Sequence, residues 1–207
     1  MLSWLARLIK GIVIALGFIL PGISGGVLAA ILGIYERMIG FLAHPFKDFK
    51  ENVLYFIPVG VYAYVAGKNI QEMEKAAESF YNAASPYNPS YYWLDVEEKT
   101  MSDMNDGVEA FRAKLESLGV KNIGIYVGVY FMEEHSIDTS KFSSVWIPSY
   151  GSDSGFYEAT PKTDLDYDIH QYTSKGKIAG FDHDLDINVI SSLKNKEETF
   201  RKLFLKP

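Results

Sequence analysis

The chain has 207 residues, with 20 Lys and Arg against 26 Asp and Glu, a net charge of −6, no Cys and 14% aromatic residues. That length suits one ordinary domain or two small ones. The lack of Cys excludes a disulfide framework, a thiolate metal site and a cysteine nucleophile. The acidic balance argues against a nucleic-acid partner, which would require a basic stripe.

The charge is unevenly spread. Residues 1–60 carry five basic groups (Arg7, Lys10, Arg37, Lys47, Lys50) and three acidic ones (Glu36, Asp48, Glu51), which leaves 15 basic and 23 acidic groups for residues 61–207. An apolar, slightly basic head thus precedes a polar, acidic body. No charged residue occurs between Gly11 and Tyr35, a run longer than the roughly 20 residues a membrane-spanning helix needs. Lys10 and the Glu36/Arg37 pair bracket it. Pro21-Gly22-Ile23-Ser24-Gly25-Gly26 interrupts it, and such a segment breaks a helix. Residues 11–35 are therefore expected to meet a membrane, either as two half-helices around a re-entrant turn or as one kinked span or signal-anchor.

The body alternates strand and helix patterns. Val59–Val65 is a short apolar strand. Asn69 caps a helix over Ile70–Ala84, with Glu72 as its capping-box partner. Ser90–Val96 is an aromatic, apolar strand. Asn105 leads into an amphipathic helix with Val108, Phe111, Leu115 and Leu118 on one face, and Gly119 stops it. Ile123–Tyr130, Val145–Tyr150 and Asp168–Tyr172 are further strands, and Asn195–Leu205 is a charged surface helix. This alternation predicts an α/β fold of parallel βαβ units. The acidic cluster Asp164–Asp168 is expected to be a solvated turn.

Two segments carry candidate chemistry. In Trp93-Leu94-Asp95-Val96-Glu97-Glu98, strand alternation puts Asp95 and Glu97 on one face. At the C-terminal end of a parallel strand they stand where barrel enzymes hold their active sites. Two neighbouring carboxylates resist double ionisation, so one holds a proton near neutral pH. That arrangement suits glycoside hydrolysis; a solvated acidic strand end gives the same pattern. In Asp182-His183-Asp184-Leu185-Asp186-Ile187-Asn188-Val189, polar and apolar groups alternate. A calcium or His183-centred metal site lacks the needed further ligands, and Asp186 is placed at a barrel mouth with Leu185 and Ile187 in the wall. Trp146 and His170-Gln171-Tyr172 are candidate sugar-facing groups.

Two resemblances follow. Gly17 through Ile39, with PGISGG and LGIYERMIG, continuing through HPFKDFKENVLYFIPVG, resembles the start of the domain of unknown function 368 family. Those are bacterial polytopic membrane proteins associated with recycling of undecaprenyl phosphate. The later spans of that family are missing. From about Ile57 onward, YWLDVEEKT, NIGIYVGVYF, VWIPSYG, HQYTSKGKIAGF and DLDINVI resemble, in order and spacing, glycoside hydrolase family 25, the muramidases of phage endolysin and bacterial autolysin type.

That resemblance implies hydrolysis of the β-1,4 bond between N-acetylmuramic acid and N-acetylglucosamine in a (β/α) barrel, with no cofactor and no metal. Glu97 then matches the general acid, Asp95 its partner carboxylate and Asp186 the acid of the last strand. Tyr62, Tyr64, Tyr126, Trp146, Tyr150 and Gln171 are the substrate-binding candidates, with Ala63 where the family often has His. The family's first two strands, the first bearing an Asp, have no counterpart. The expectation is thus a membrane-like segment, 1–57, joined to an incomplete barrel, 58–207, at Ile57-Pro58-Val59-Gly60. A join inside shared sequence points to recombination or misjoined reading frames. The expected protein acts on peptidoglycan at the membrane of a bacterial envelope with impaired activity. The alternatives are a translocase fragment and a non-catalytic glycan-binding protein.

Overall fold

The computed structural model describes residues 60–178 and 182–204. The chain divides into two units, Met1–Tyr55 and Phe56–Pro207, and every described residue belongs to the second. The expected membrane segment, residues 11–35, lies outside the described residues. Among the described residues no helix is long and apolar enough to cross a membrane.

The described residues form a half-barrel of α/β type. Strand β1 (Gly60–Tyr64) is followed by helix α1 (Ile70–Ala84), β2 (Tyr91–Val96) and α2 (Met104–Ser117). Then come β3 (Ile123–Val127), α3 (Val129–Glu134), β4 (Ser144–Pro148), β5 (Ile169–Gly176), β6 (Leu185–Ile190) and α4 (Lys196–Phe204). The strands lie side by side in chain order. β1 to β5 run parallel, and β6 returns antiparallel to β5. The parallel expectation fails at β6 because only eight residues, 177–184, separate it from β5. A parallel crossover needs a dozen or more.

Local chemistry sets the helix starts. The Glu72 amide donates to Asn69 Oδ1 at 2.9 Å, and the Lys68 amide donates to Glu72 Oε2 at 2.9 Å. This is the expected capping box, shifted by one residue on its return arm. The start of α2 differs from expectation: Asp103, not Asn105, accepts the Asp106 amide at 3.0 Å. Asn105 instead accepts the Asp138 amide at 2.8 Å. Strand β3 also ends earlier than the apolar run suggests, because Val129 and Tyr130 begin α3. An apolar run of that length does not distinguish strand from helix.

Parity then divides β2. Tyr92, Leu94 and Val96 face outward and pack with Ile125 and Val127 against Met73 and Ala77 of α1 and Val108, Phe111 and Leu115 of α2. Tyr91 and Trp93 face inward and meet Ile169 and Leu203. Leu203 belongs to α4, expected on the surface, yet only 2% of it is exposed. The helix is amphipathic, and its apolar edge closes the N-terminal end of the half-barrel. Asp168, expected in a solvated turn, is buried there. Its Oδ2 accepts Ser144 Oγ and Lys202 Nζ, each at 2.7 Å. A buried carboxylate persists because these partners replace its water. Asp164 and Asp166 are exposed.

Among the described residues, β1 and β6 each have a neighbour on one side only. The inner face of β1 is correspondingly open, with Tyr62 65% and Tyr64 46% exposed. Inside the sheet the fit is close. A Cβ on Gly124 would fall within the ring of Trp93. Gly124→Ala is therefore expected to destabilise the body by about 1–3 kcal/mol through overpacking, read as a lower urea midpoint. An unchanged midpoint would show that the Trp93 ring has room to move.

Candidate active site

Inward residues of β1 to β4 share one register. Tyr64 pairs with Asp95, Asp95 with Tyr126, and Tyr126 with Trp146. Asp95 therefore sits on the inner face one residue before β2 ends. Glu97 and Glu98 lie just beyond the strand and are exposed.

Asp95 has the unusual electrostatics. Burial first, then the charge of Glu97 and a hydrogen bond to Glu97, push its pKa up to about 7. Its Oδ1 is buried without a hydrogen-bond partner. A protonated Asp95 donates to Glu97, so the neutral form of Asp95 is favoured beside the Glu97 charge. Glu98 is engaged by Tyr64, whose OH donates to its Oε2 at 2.9 Å. That bond, above all, raises the Tyr64 phenol.

The other walls come from later strands. Tyr126 is buried, and its hydroxyl lies 3.3 Å from that of Tyr150. Burial, the Tyr150 bond and the charges of Glu97 and Asp95 all raise the Tyr126 phenol. Burial also raises Tyr150; the bond to Tyr126 opposes this, and Asp186, Glu97 and Asp153 add to it. Tyr126 thus lies within electrostatic reach of Asp95 and Glu97, and Tyr150 within reach of Asp186 and Glu97, along one wall of the cleft. Trp146 forms its floor. Its Nε1 donates to Asn188 Oδ1 at 2.8 Å, and its ring meets Tyr126 edge-on at 4.8 Å and Trp93 at 5.8 Å.

Asn188 thus faces inward from β6, and Asp186, two residues earlier, shares its face. Asp186 is an exposed residue, but partial burial of its carboxyl raises its pKa; the hydrogen bond from Gln171 lowers it and Asp153 raises it. Gln171 is buried and pairs in register with Asn188. The predicted residues Asp95, Glu97, Tyr64, Tyr126, Trp146, Tyr150, Gln171 and Asp186 therefore share the inner face or its rim. Tyr62 lies on the same face of β1, lower and more exposed. His170 does not join them. It is buried on the opposite face, where Nε2 donates to the Ser149 carbonyl at 2.7 Å and Tyr157 and Tyr172 pack on the ring. Asp184, weighed as a metal ligand, is held by Lys177 at 2.5 Å.

A family model for glycosyl hydrolases family 25 matches residues 50–181. The chain belongs to glycosyl hydrolases family 25. A solved structure of GHIP, a glycosyl hydrolase 25 of Streptococcus pneumoniae participating in host cell invasion, is 79% identical. That alignment covers 84% of this chain and 72% of that one, with a TM-score of 0.71. The catalytic domain of endolysin ply40 from bacteriophage P40 of Listeria monocytogenes is 25% identical over 77% of this chain and 76% of that one, with a TM-score of 0.64. No curated protein matches the chain.

This family 25 chain is thus a glycoside hydrolase by descent. The family match begins at residue 50, ahead of the expected Ile57, and ends at 181, five residues before Asp186. It does not support the resemblance of the head to a membrane family. Two residues of the cleft escaped the sequence reading. Asn188 was legible, since it follows Asp186 at i+2. Asp153 was not, because its partners are on another strand.

The raised Asp95 fixes the sign of a stability effect. Its folded pKa lies above its unfolded value, so between about pH 4 and 7 the unfolded chain has released a proton that the folded one keeps. Stability is lost as pH rises through that window. Asp95→Asn, which cannot ionise, is expected to raise Tm at pH 8 and to change it little at pH 4. An equal effect at both pH values would contradict the assignment.

Proposed function

We propose that this family 25 hydrolase is a muramidase that cleaves the β-1,4 bond between N-acetylmuramic acid and N-acetylglucosamine in peptidoglycan. One observation carries the reading: a half-buried Asp95 with a raised pKa beside the exposed Glu97, at the mouth of a parallel half-barrel and among aromatic side chains. Glu97, the exposed member, reaches substrate and delivers the proton to the glycosidic oxygen as the C–O bond breaks. Asp95 passes its proton to Glu97 and takes on negative charge as the sugar becomes cationic. Water then adds at the sugar carbon and returns a proton to the pair. Asp186 adds negative charge from the opposite wall. Tyr62, Tyr64, Tyr126, Trp146, Tyr150 and Gln171 line the glycan's path, with aromatic faces for sugar rings and a buried amide for its polar groups. No cofactor enters these steps.

Within this reading residues 58–207 are the catalytic domain, facing the cell wall. Membrane attachment through residues 11–35 rests on their sequence alone.

The test is turbidity loss of purified cell walls with the full chain and with Glu97→Gln. The wild type is expected to lyse walls, and Glu97→Gln to be slower by about 100-fold or more while still binding glycan. Equal lysis by both would overturn the reading. Binding without lysis in the wild type would favour a glycan-binding protein instead.

A further inference from the structure

The segment between β4 and β5, residues 149–168, has no helix or strand of its own, yet it carries Tyr150 into the cleft. We propose that Asp153 is a positioning residue: it ties this segment to β5 and so holds the Tyr150 hydroxyl against Tyr126 beside Glu97. The proposal rests on the cleft being the glycan site described above.

The tie is dense for one side chain. Asp153 Oδ1 accepts Thr173 Oγ1 at 2.7 Å and the Ser174 amide at 2.9 Å, and Oδ2 accepts Ser174 Oγ at 2.8 Å. Lys175 Nζ stands 3.7 Å away. The donors are available because β5 is irregular there. Its ladder with β6 shifts register between Gln171 and Thr173 and again between Thr173 and Gly176. Those shifts take Ser174 out of the pairing, and a backbone amide so freed needs another acceptor.

Asp153 reaches Tyr150 through one turn. The Asp153 amide donates to the Tyr150 carbonyl at 2.9 Å. Gly151 and Asp153 both adopt positive φ, +60° and +54°, a conformation Asp tolerates better than most residues. The other end of the turn is anchored independently. The Ser149 amide donates to the Gln171 carbonyl at 2.9 Å, and His170 donates to the Ser149 carbonyl at 2.7 Å. Tyr150 is therefore held from both sides, and Asp153 supplies the second hold. The same hydrogen bonds keep the Asp153 carboxyl down at about 2, so it stays charged wherever the enzyme works.

Asp153→Gly and Asp153→Asn in the full chain separate tether from backbone strain. Gly accepts the positive φ freely but has no carboxyl, whereas Asn keeps an acceptor and tolerates the same φ. Losing charge-assisted hydrogen bonds is expected to cost about tenfold. Asp153→Gly should raise KM on soluble cell-wall glycan about tenfold with kcat within about twofold. Hydrogen exchange at the Asp153 and Ser174 amides should quicken by a similar factor. Asp153→Asn should restore both to within about threefold of wild type. Unchanged exchange in Asp153→Gly, a loss confined to kcat, or an Asn variant as impaired as Gly would overturn the proposal. Glu97→Gln in the same assay reports on the hydrolase reading separately. If it has no effect, that reading fails and the exchange data alone decide the tether.

Discussion

The two-residue period of β2 is the constraint on which the site depends. Six residues, Tyr91 to Val96, are shared between two environments that require opposite chemistry. Tyr92, Leu94 and Val96 are buried under α1 and α2. Their burial leaves Tyr91, Trp93 and Asp95 no direction but inward. A slip of one residue would put an aspartate into the helix-packed core and a leucine into the cleft. Both changes carry a large cost, so the packing of the outer layer fixes the position of the carboxylate.

The inward face combines a structural end and a chemical end. At the N-terminal end Tyr91 and Trp93 meet Leu203, while Asp168 is satisfied by Ser144 and Lys202. At the C-terminal end, one register step above Trp93, the polar needs are left unmet. Asp95 Oδ1 has no partner, and its pKa stands near 7. A half-buried carboxyl held neutral is a cost to folding at neutral pH and an asset to proton transfer. Tyr126 and Tyr150 keep the space around it poorly solvated without neutralising it. Tyr64, on the inner face of β1, is tied to the loop after β2 through Glu98.

What was legible in the sequence was whatever short range decides. The Asn69 capping box, the apolar spacing of α2 and the shared face of Asp95 and Glu97 are all settled within a few residues. The placement of Asp186 at the mouth followed from alternation with Leu185 and Ile187. Long-range partners were not legible. Asp168 looks like a surface acid until Lys202, 34 residues later, is brought to it. Asp153 looks like a turn residue until the irregularity in β5 frees the Ser174 amide. His170 was grouped with Gln171 as sugar-facing, yet strand alternation turns its imidazole to the other face.

The most direct measurement follows the Asp95 carboxyl carbon by NMR through a pH titration of the full chain. An inward, half-buried Asp95 beside the Glu97 charge titrates with a midpoint near 7, and the midpoint falls in Glu97→Gln. A midpoint near 4, the ordinary value for an exposed aspartate, in both proteins would contradict the placement of the pair and the chemistry built on it.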